Sequence, residues 1–276
     1  MLPTLESPPP GVAEDWTLPQ DWQRFTPDQH AVWDMLCERQ AAALGDYAAE
    51  AFLHGLSILD LSGSGIPRLS ELNEQLGTAT GWELVAVPGV IPNHAFFRHL
   101  AARRFPVANK LRSLDNLAYS EEPDMFHDIF GHVPMLTNPV FADFMQAWAQ
   151  AGLRAEGLGA SDFLGRLYLH TVEFGLVAEG GRLRAYGAGL LSSLAETTHA
   201  ITSPEARRIT LDLARVMRTD YHFDRFQESY FVVDSFDELL RVTAETDFAS
   251  LYAELRALPL LKSGEATASD VVYHAG

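Results

Sequence analysis

The chain has 276 residues, 47% hydrophobic and 21% charged, the proportions of a folded protein with room for one large core. Its 37 acidic residues against 20 basic ones give a formal charge of −17, which argues against nucleic acid or an anionic membrane surface as a partner. A lone cysteine, Cys37, excludes an intramolecular disulfide or a multi-cysteine zinc site; with no signal peptide and no run of about 18 apolar residues, a cytoplasmic protein is expected.

Residues 1–20 carry five prolines and read as an extended arm (1–17) that Trp16 could dock. Thr26-Pro27-Asp28-Gln29 spells an N-cap, a proline at the first helical position and a capping-box glutamine, and predicts a helix over 27–44. A short helix is expected over 69–76, stopped by Gly77, followed by an extended or looped stretch over 82–90 and a helix over 93–103. Longer helices are read over 139–155 and 161–178, and another over 203–218, opened by Ser203-Pro204-Glu205. An aromatic, β-branched run over 227–233 predicts a strand, and 237–258 a broken helix. The expected fold is mainly α with a small edge sheet (α+β), one domain over 18–260, and a loose tail over 261–276.

The stretch Glu122-Pro123-Asp124-Met125-Phe126-His127-Asp128-Ile129-Phe130-Gly131-His132-Val133-Pro134 holds two histidines five residues apart. On a straight helix their imidazoles would point about 140° apart. They converge only if the helix ends between them or distorts, and Gly131 and Pro134 are suitable stop residues. The alternative is two unrelated histidines. Glu173 lies among Leu169, Val172, Phe174 and Leu176, so it needs a proton, a core arginine or a cation. Two histidines and a carboxylate, without cysteine, match the facial triad of non-haem Fe(II) oxygenases; zinc with water is the chemical competitor. The glycines of Tyr186-Gly187-Ala188-Gly189 mark a tight turn and make no phosphate loop.

Taken together, His127-Asp128-Ile129-Phe130-Gly131-His132, Thr171-Val172-Glu173-Phe174-Gly175, Tyr186-Gly187-Ala188-Gly189-Leu190-Leu191-Ser192-Ser193 and the region from Val87 to Pro106 resemble the motifs of the pterin-dependent aromatic amino acid hydroxylases, in the same order and over nearly the whole chain. The nearest likeness is to the bacterial phenylalanine 4-hydroxylases, which are catalytic domains alone, and this implies a monomer. The resemblance implies that His127, His132 and Glu173 hold Fe(II). It implies that Phe96 stacks on tetrahydrobiopterin or a related tetrahydropterin, with Gly89, Ile91 and Tyr168 beside it and Asp128 facing it. Arg112 would clamp the carboxylate of the aromatic amino acid, helped by Ser120 and Ser192 and oriented by Asp124. Pro123, Phe174 and His127 would wall the substrate's side chain, with Gly189 close by. The implied reaction is ring hydroxylation of L-phenylalanine to L-tyrosine with O2.

One position departs from the pattern. Leu169 stands where phenylalanine and tyrosine hydroxylases have tryptophan and tryptophan hydroxylases have phenylalanine. The extra room would suit the same machinery making 5-hydroxytryptophan or meta-tyrosine. His170, three residues from Glu173, is expected to be a core or supporting histidine rather than a fourth ligand. The alternative from another class is a zinc hydrolase with Asp128 as general base.

Overall fold

Where the sequence carries complete capping signals, the chain follows them closely. In the computed structural model, which describes residues 7–61, 65–114, 122–222 and 224–273, Thr26 accepts from the Gln29 N–H, and the Gln29 side chain accepts from the Thr26 N–H. This closes a capping box over α1 (Pro27–Leu44). Helix α2 (Glu50–Leu59) lacks such a cap and was not foreseen. Helix α3 (Leu69–Thr80) runs through Gly77 and stops at Gly81, whose φ of 73° is the left-handed conformation that ends helices.

A parallel pair, β1 (Glu83–Val87) and β2 (Arg104–Ala108), is joined by α4 (Asn93–Ala101). Next comes α5 (Val133–Leu136), then the long α6 (Pro139–Gly157), capped by the Asn138 side chain. The apolar side of α6, with Phe141, Phe144, Met145 and Trp148 all buried, forms the centre of the core. It packs against α4, α7 (Ser161–Tyr168) and, further on, α11 (Phe236–Glu245).

The second sheet has the order β4-β3-β6-β5. Strands β3 (Leu176–Glu179) and β4 (Arg182–Ala185) form an antiparallel hairpin, while β5 (Arg207–Thr210) and β6 (Ser229–Val233) run parallel to each other. Short helices α8 (Ala188–Leu191), α9 (Leu194–Thr202) and α10 (Leu213–Met217) fill the connections, and α12 (Phe248–Leu255) follows α11. The architecture is mainly helical with small sheets, as expected.

Three local expectations are corrected. The helix read over 161–178 stops at Glu173, because Leu176 and Val177 pair with Val232 and Val233 of β6. The helix read over 203–218 is a turn, β5 and the short α10, since Arg208-Ile209-Thr210 pairs with Tyr230-Phe231-Val232. In both cases long-range pairing overrides a local helical pattern. The C-terminal stretch is tied down as far as Tyr273. Asp270, its side chain 2% exposed, accepts from Arg215 Nε at 2.7 Å, and Tyr273 N donates to Arg208 O at 2.8 Å. A buried ion pair supplies the anchor that its small, polar composition hid.

Candidate active site

The two histidines meet through a distortion of the helix, not at its end. Residues His127–His132 form a π turn, in which hydrogen bonds span five residues instead of four. Residues five apart then lie one above the other. The His127 and His132 rings are 4.9 Å apart and nearly perpendicular, with their Nε2 atoms 3.2 Å apart. Gly131 therefore does not stop the helix. It admits α8, since a Cβ there would stand 3.0 Å from Ala188 O. Pro134 sits in the first turn of α5, where its missing N–H costs little.

Buried carboxylates fasten this turn at its start. Asp124 accepts from the His127 N–H at 3.0 Å, from Arg112 N and Nε at 2.8 Å each, and from Arg112 Nη2 at 2.7 Å. The Arg112 and Asp124 side chains are 6% and 2% exposed, so this is a buried bidentate pair. Burial opposes the Asp124 charge, but Arg112 holds its carboxyl below the usual range. Asp128 accepts from Ala108 N at 2.7 Å, linking the turn to β2. Burial pushes its carboxyl up to about 6, against the pull of the neighbouring His127.

Ser192 contacts the first histidine, not an open surface. Its hydroxyl donates to Ala188 O at 2.8 Å, so in the 3.0 Å contact with His127 it accepts from Nδ1–H. That fixes the tautomer and leaves the Nε2 lone pair of His127 pointing inward.

Glu173 ends a second π turn, Leu169–Glu173. Thr171 Oγ1 donates back to Leu167 O at 2.5 Å, and the fully buried His170 turns away, its Nε2 3.1 Å from Thr219 O. Burial lowers the His170 pKa to about 4, so it stays neutral. It is a core histidine and not a ligand. The 187–189 segment crosses closely over Glu173, where a Cβ on Gly189 would stand 3.0 Å from both Glu173 O and Phe174 Cε1. The approach is tighter still at Gly187, where a Cβ would stand 2.3 Å from Glu173 O, so glycine is required there.

The two π turns bring three donors together. Glu173 Oε2 is 3.4 Å from His127 Nε2, and Oε1 is 3.2 Å from His132 Nε2. Among the described residues, these form the one group of three potential metal ligands, all within 4.8 Å of one another. For bonds of about 2.1 Å, neighbouring ligands on one cation stand about 3.0 Å apart at octahedral angles and about 3.4 Å at tetrahedral ones. The donor set therefore fits a divalent cation of either geometry. Electrostatics agrees: burial opposes charge on both groups, yet the imidazoles hold Glu173 far below the usual carboxylate range, and Glu173 raises His127 to about 9.

Beside the triad lies a cavity of about 220 Å³. Its lining includes the three ligands and Gly89, Ile91, Phe96, Asp128 and Tyr168, drawn from the β1–α4 loop, α4, the first π turn and α7. Pro123 lines it too. Phe96 meets Tyr168 edge to face at 5.7 Å, and burial together with the nearby Glu173 charge pushes the Tyr168 phenol well above its usual range. Among the described residues, Arg112, Leu169, Phe174, Gly189 and Ser192 do not line this cavity. They join the site through Asp124, His127 and the turn that carries Glu173. Ser120 lies outside the described residues. Sequence reading missed Trp148, whose ring is 4.6 Å from Tyr168 and 6.4 Å from Phe96, and Phe105, 5.0 Å from the His132 ring. Both look like ordinary core aromatics, and no local signal sets them apart.

Comparison with known proteins agrees with this geometry. The family model of biopterin-dependent aromatic amino acid hydroxylases matches residues 19–250. The chain is 50% identical over 262 residues to the phenylalanine-4-hydroxylase of Ralstonia nicotianae, spanning 95% of this chain and 83% of that protein. It is 49% identical over 269 residues to that of Caulobacter vibrioides, spanning 98% and 91%. The crystal structure of phenylalanine hydroxylase from Chromobacterium violaceum bound to cobalt matches with a TM-score of 0.92 at 46% identity, covering 95% of this chain and 94% of that one. A paired-histidine π turn, a glutamate closing a second one and an aromatic-walled cavity between them thus have their counterpart in sequence, and the chain belongs to the biopterin-dependent aromatic amino acid hydroxylase family.

Proposed function

We propose that the chain hydroxylates the ring of L-phenylalanine to L-tyrosine with O2, using Fe(II) held by His127, His132 and Glu173 and a tetrahydropterin in the adjoining cavity. The observation that carries this reading is the opening of all three donors into one cavity with Phe96, Asp128 and Tyr168. The names of the relatives, phenylalanine-4-hydroxylases 45–50% identical over most of the chain, support the substrate. Family membership sets the zinc hydrolase alternative aside. When bound, the metal supplies open coordination positions and redox chemistry, and the reduced pterin supplies two electrons.

The chain's own residues do the rest. Phe96 offers a ring face for the pterin, and Gly89 and Ile91 shape the rim. Asp128, its Oδ2 already bonded to Ala108 N, has Oδ1 left for a pterin N–H. Arg112 gives its Nε/Nη2 edge to Asp124, so the amino acid carboxylate takes the outer Nη1/Nη2 edge. Asp124 holds both that guanidinium and the His127 N–H, which couples substrate position to ligand position. Pro123, Phe174 and Gly189 flank the substrate ring, and the apolar walls exclude water from the reacting atoms.

The same reading makes the chain a cytoplasmic monomer. Among the described residues no helix is long and apolar enough to cross a membrane, and gel filtration checks the monomer. The deciding experiment supplies Fe(II), tetrahydropterin and O2 and offers phenylalanine and tryptophan together. Pterin-dependent para-tyrosine is expected as the main product. Meta-tyrosine or 5-hydroxytryptophan as the main product would overturn the substrate assignment and implicate Leu169; no product would overturn the reading as a whole.

A further inference from the structure

The N-terminal arm ends in a strained, buried tryptophan. Trp16 has φ 72°, a conformation disfavoured for a bulky side chain, yet its indole is only 3% exposed. Three fastenings hold it there. Asp15 O accepts from His99 Nε2 at 2.6 Å, Asp15 Oδ2 pairs with Arg104 Nη1 at 3.0 Å, and Leu18 N donates to Ala86 O of β1 at 2.9 Å. Strain kept by this many contacts marks a position that the surrounding structure over-determines.

What the indole touches gives the strain a use. Trp16 belongs to a small apolar cluster separate from the main core, made of Trp16, Val87, Ile91 and Ala95, with Phe96 packed on it. Val87, Ile91 and Phe96 also line the cavity beside the metal ligands. Trp16 itself lines no part of that cavity; it backs the wall from outside. We infer that the N-terminal arm is a brace for the cofactor wall, with Trp16 a positioning residue that sets Ile91 and Phe96 for the pterin. The inference rests on the proposed use of this cavity.

Calorimetric titration of the metal-loaded enzyme with 7,8-dihydrobiopterin, which binds without turnover, tests it. Wild type should bind, and Phe96→Ala should bind much more weakly. Trp16→Ala should weaken binding about five- to tenfold. It should raise KM for tetrahydropterin in parallel while leaving kcat and the amino acid KM within about twofold. Trp16→Phe should restore most of the affinity. Asp15→Ala, which keeps the indole but removes the clamp to Arg104, should show the same split in smaller measure and serves if Trp16→Ala does not fold. Wild-type pterin affinity in the Trp16→Ala protein, or in Asp15→Ala where that is the variant that folds, overturns the brace; with Phe96→Ala still weakened, the cavity assignment stands. Equal rises in both KM values overturn it too, since they report a general loss of structure. Wild-type affinity in Phe96→Ala would overturn the cavity assignment itself.

Discussion

The two π turns that meet at the site are held in different ways. His127–His132 is fixed by polar groups: Asp124 at its first N–H, Asp128 on Ala108 N and Ser192 on the His127 ring. Leu169–Glu173 is held mainly by packing, with Val172 and His170 fully buried, Thr171 bonded back to Leu167 O within its own helix and His170 reaching Thr219 O. The first turn supplies two imidazole donors, and Ser192 sets the tautomer of one of them, His127. The second supplies one carboxylate whose direction must be set, and a rigid apolar bed suffices. Each turn inserts an extra residue where a regular helix would aim its ligand elsewhere.

The largest expected effect comes from Glu173→Gln. It removes the charge that all three donors share and should lower metal affinity by more than about 100-fold and abolish turnover. Wild-type affinity in a metal titration would break the triad. Metal binding should also report protons. His127 is raised to about 9 in the metal-free chain, and a ligand must shed its proton to bind, so affinity should climb as pH rises toward 9 and level off above it. A flat profile from pH 6 to 9 would contradict that coupling.

Asp124→Asn acts on the polar turn alone. It breaks a buried ion pair and should cost about 3 kcal/mol or more in urea unfolding, with a higher KM for the amino acid because Arg112 loses its anchor. Ser192→Ala removes the partner of His127 Nδ1 and should lower metal affinity about tenfold with little change in unfolding midpoint. His170→Gln is the smallest change. It alters one buried hydrogen bond on the packed turn and should cost about 1–2 kcal/mol of stability. If it lowered metal affinity more than Ser192→Ala does, the contrast between the two turns would be reversed.

The polar turn was the more legible of the two. A histidine spacing of five allows convergence only where a helix ends or distorts, and the distortion is what occurs. Thr26 and Gln29 likewise announced α1, because every atom of that cap lies within four residues. Glu173 was legible as a carboxylate needing a partner, but its π turn was not, because the bed that shapes it comes from β6 and the 187–189 segment. The contact of Ser192 with His127 was not legible at all, since the two lie 65 residues apart in the chain. The same distance hid β5, whose partners are in β6, and the anchoring of the tail by Asp270 on Arg215.

X-ray absorption at the iron edge of the loaded enzyme reads out whether two π turns deliver one shared set of ligands. One iron per chain with scattering from two imidazoles is expected, with loss of one imidazole contribution in each of His127→Ala and His132→Ala. Iron bound with fewer than two imidazoles in the wild type, or a spectrum unchanged by either substitution, would contradict it.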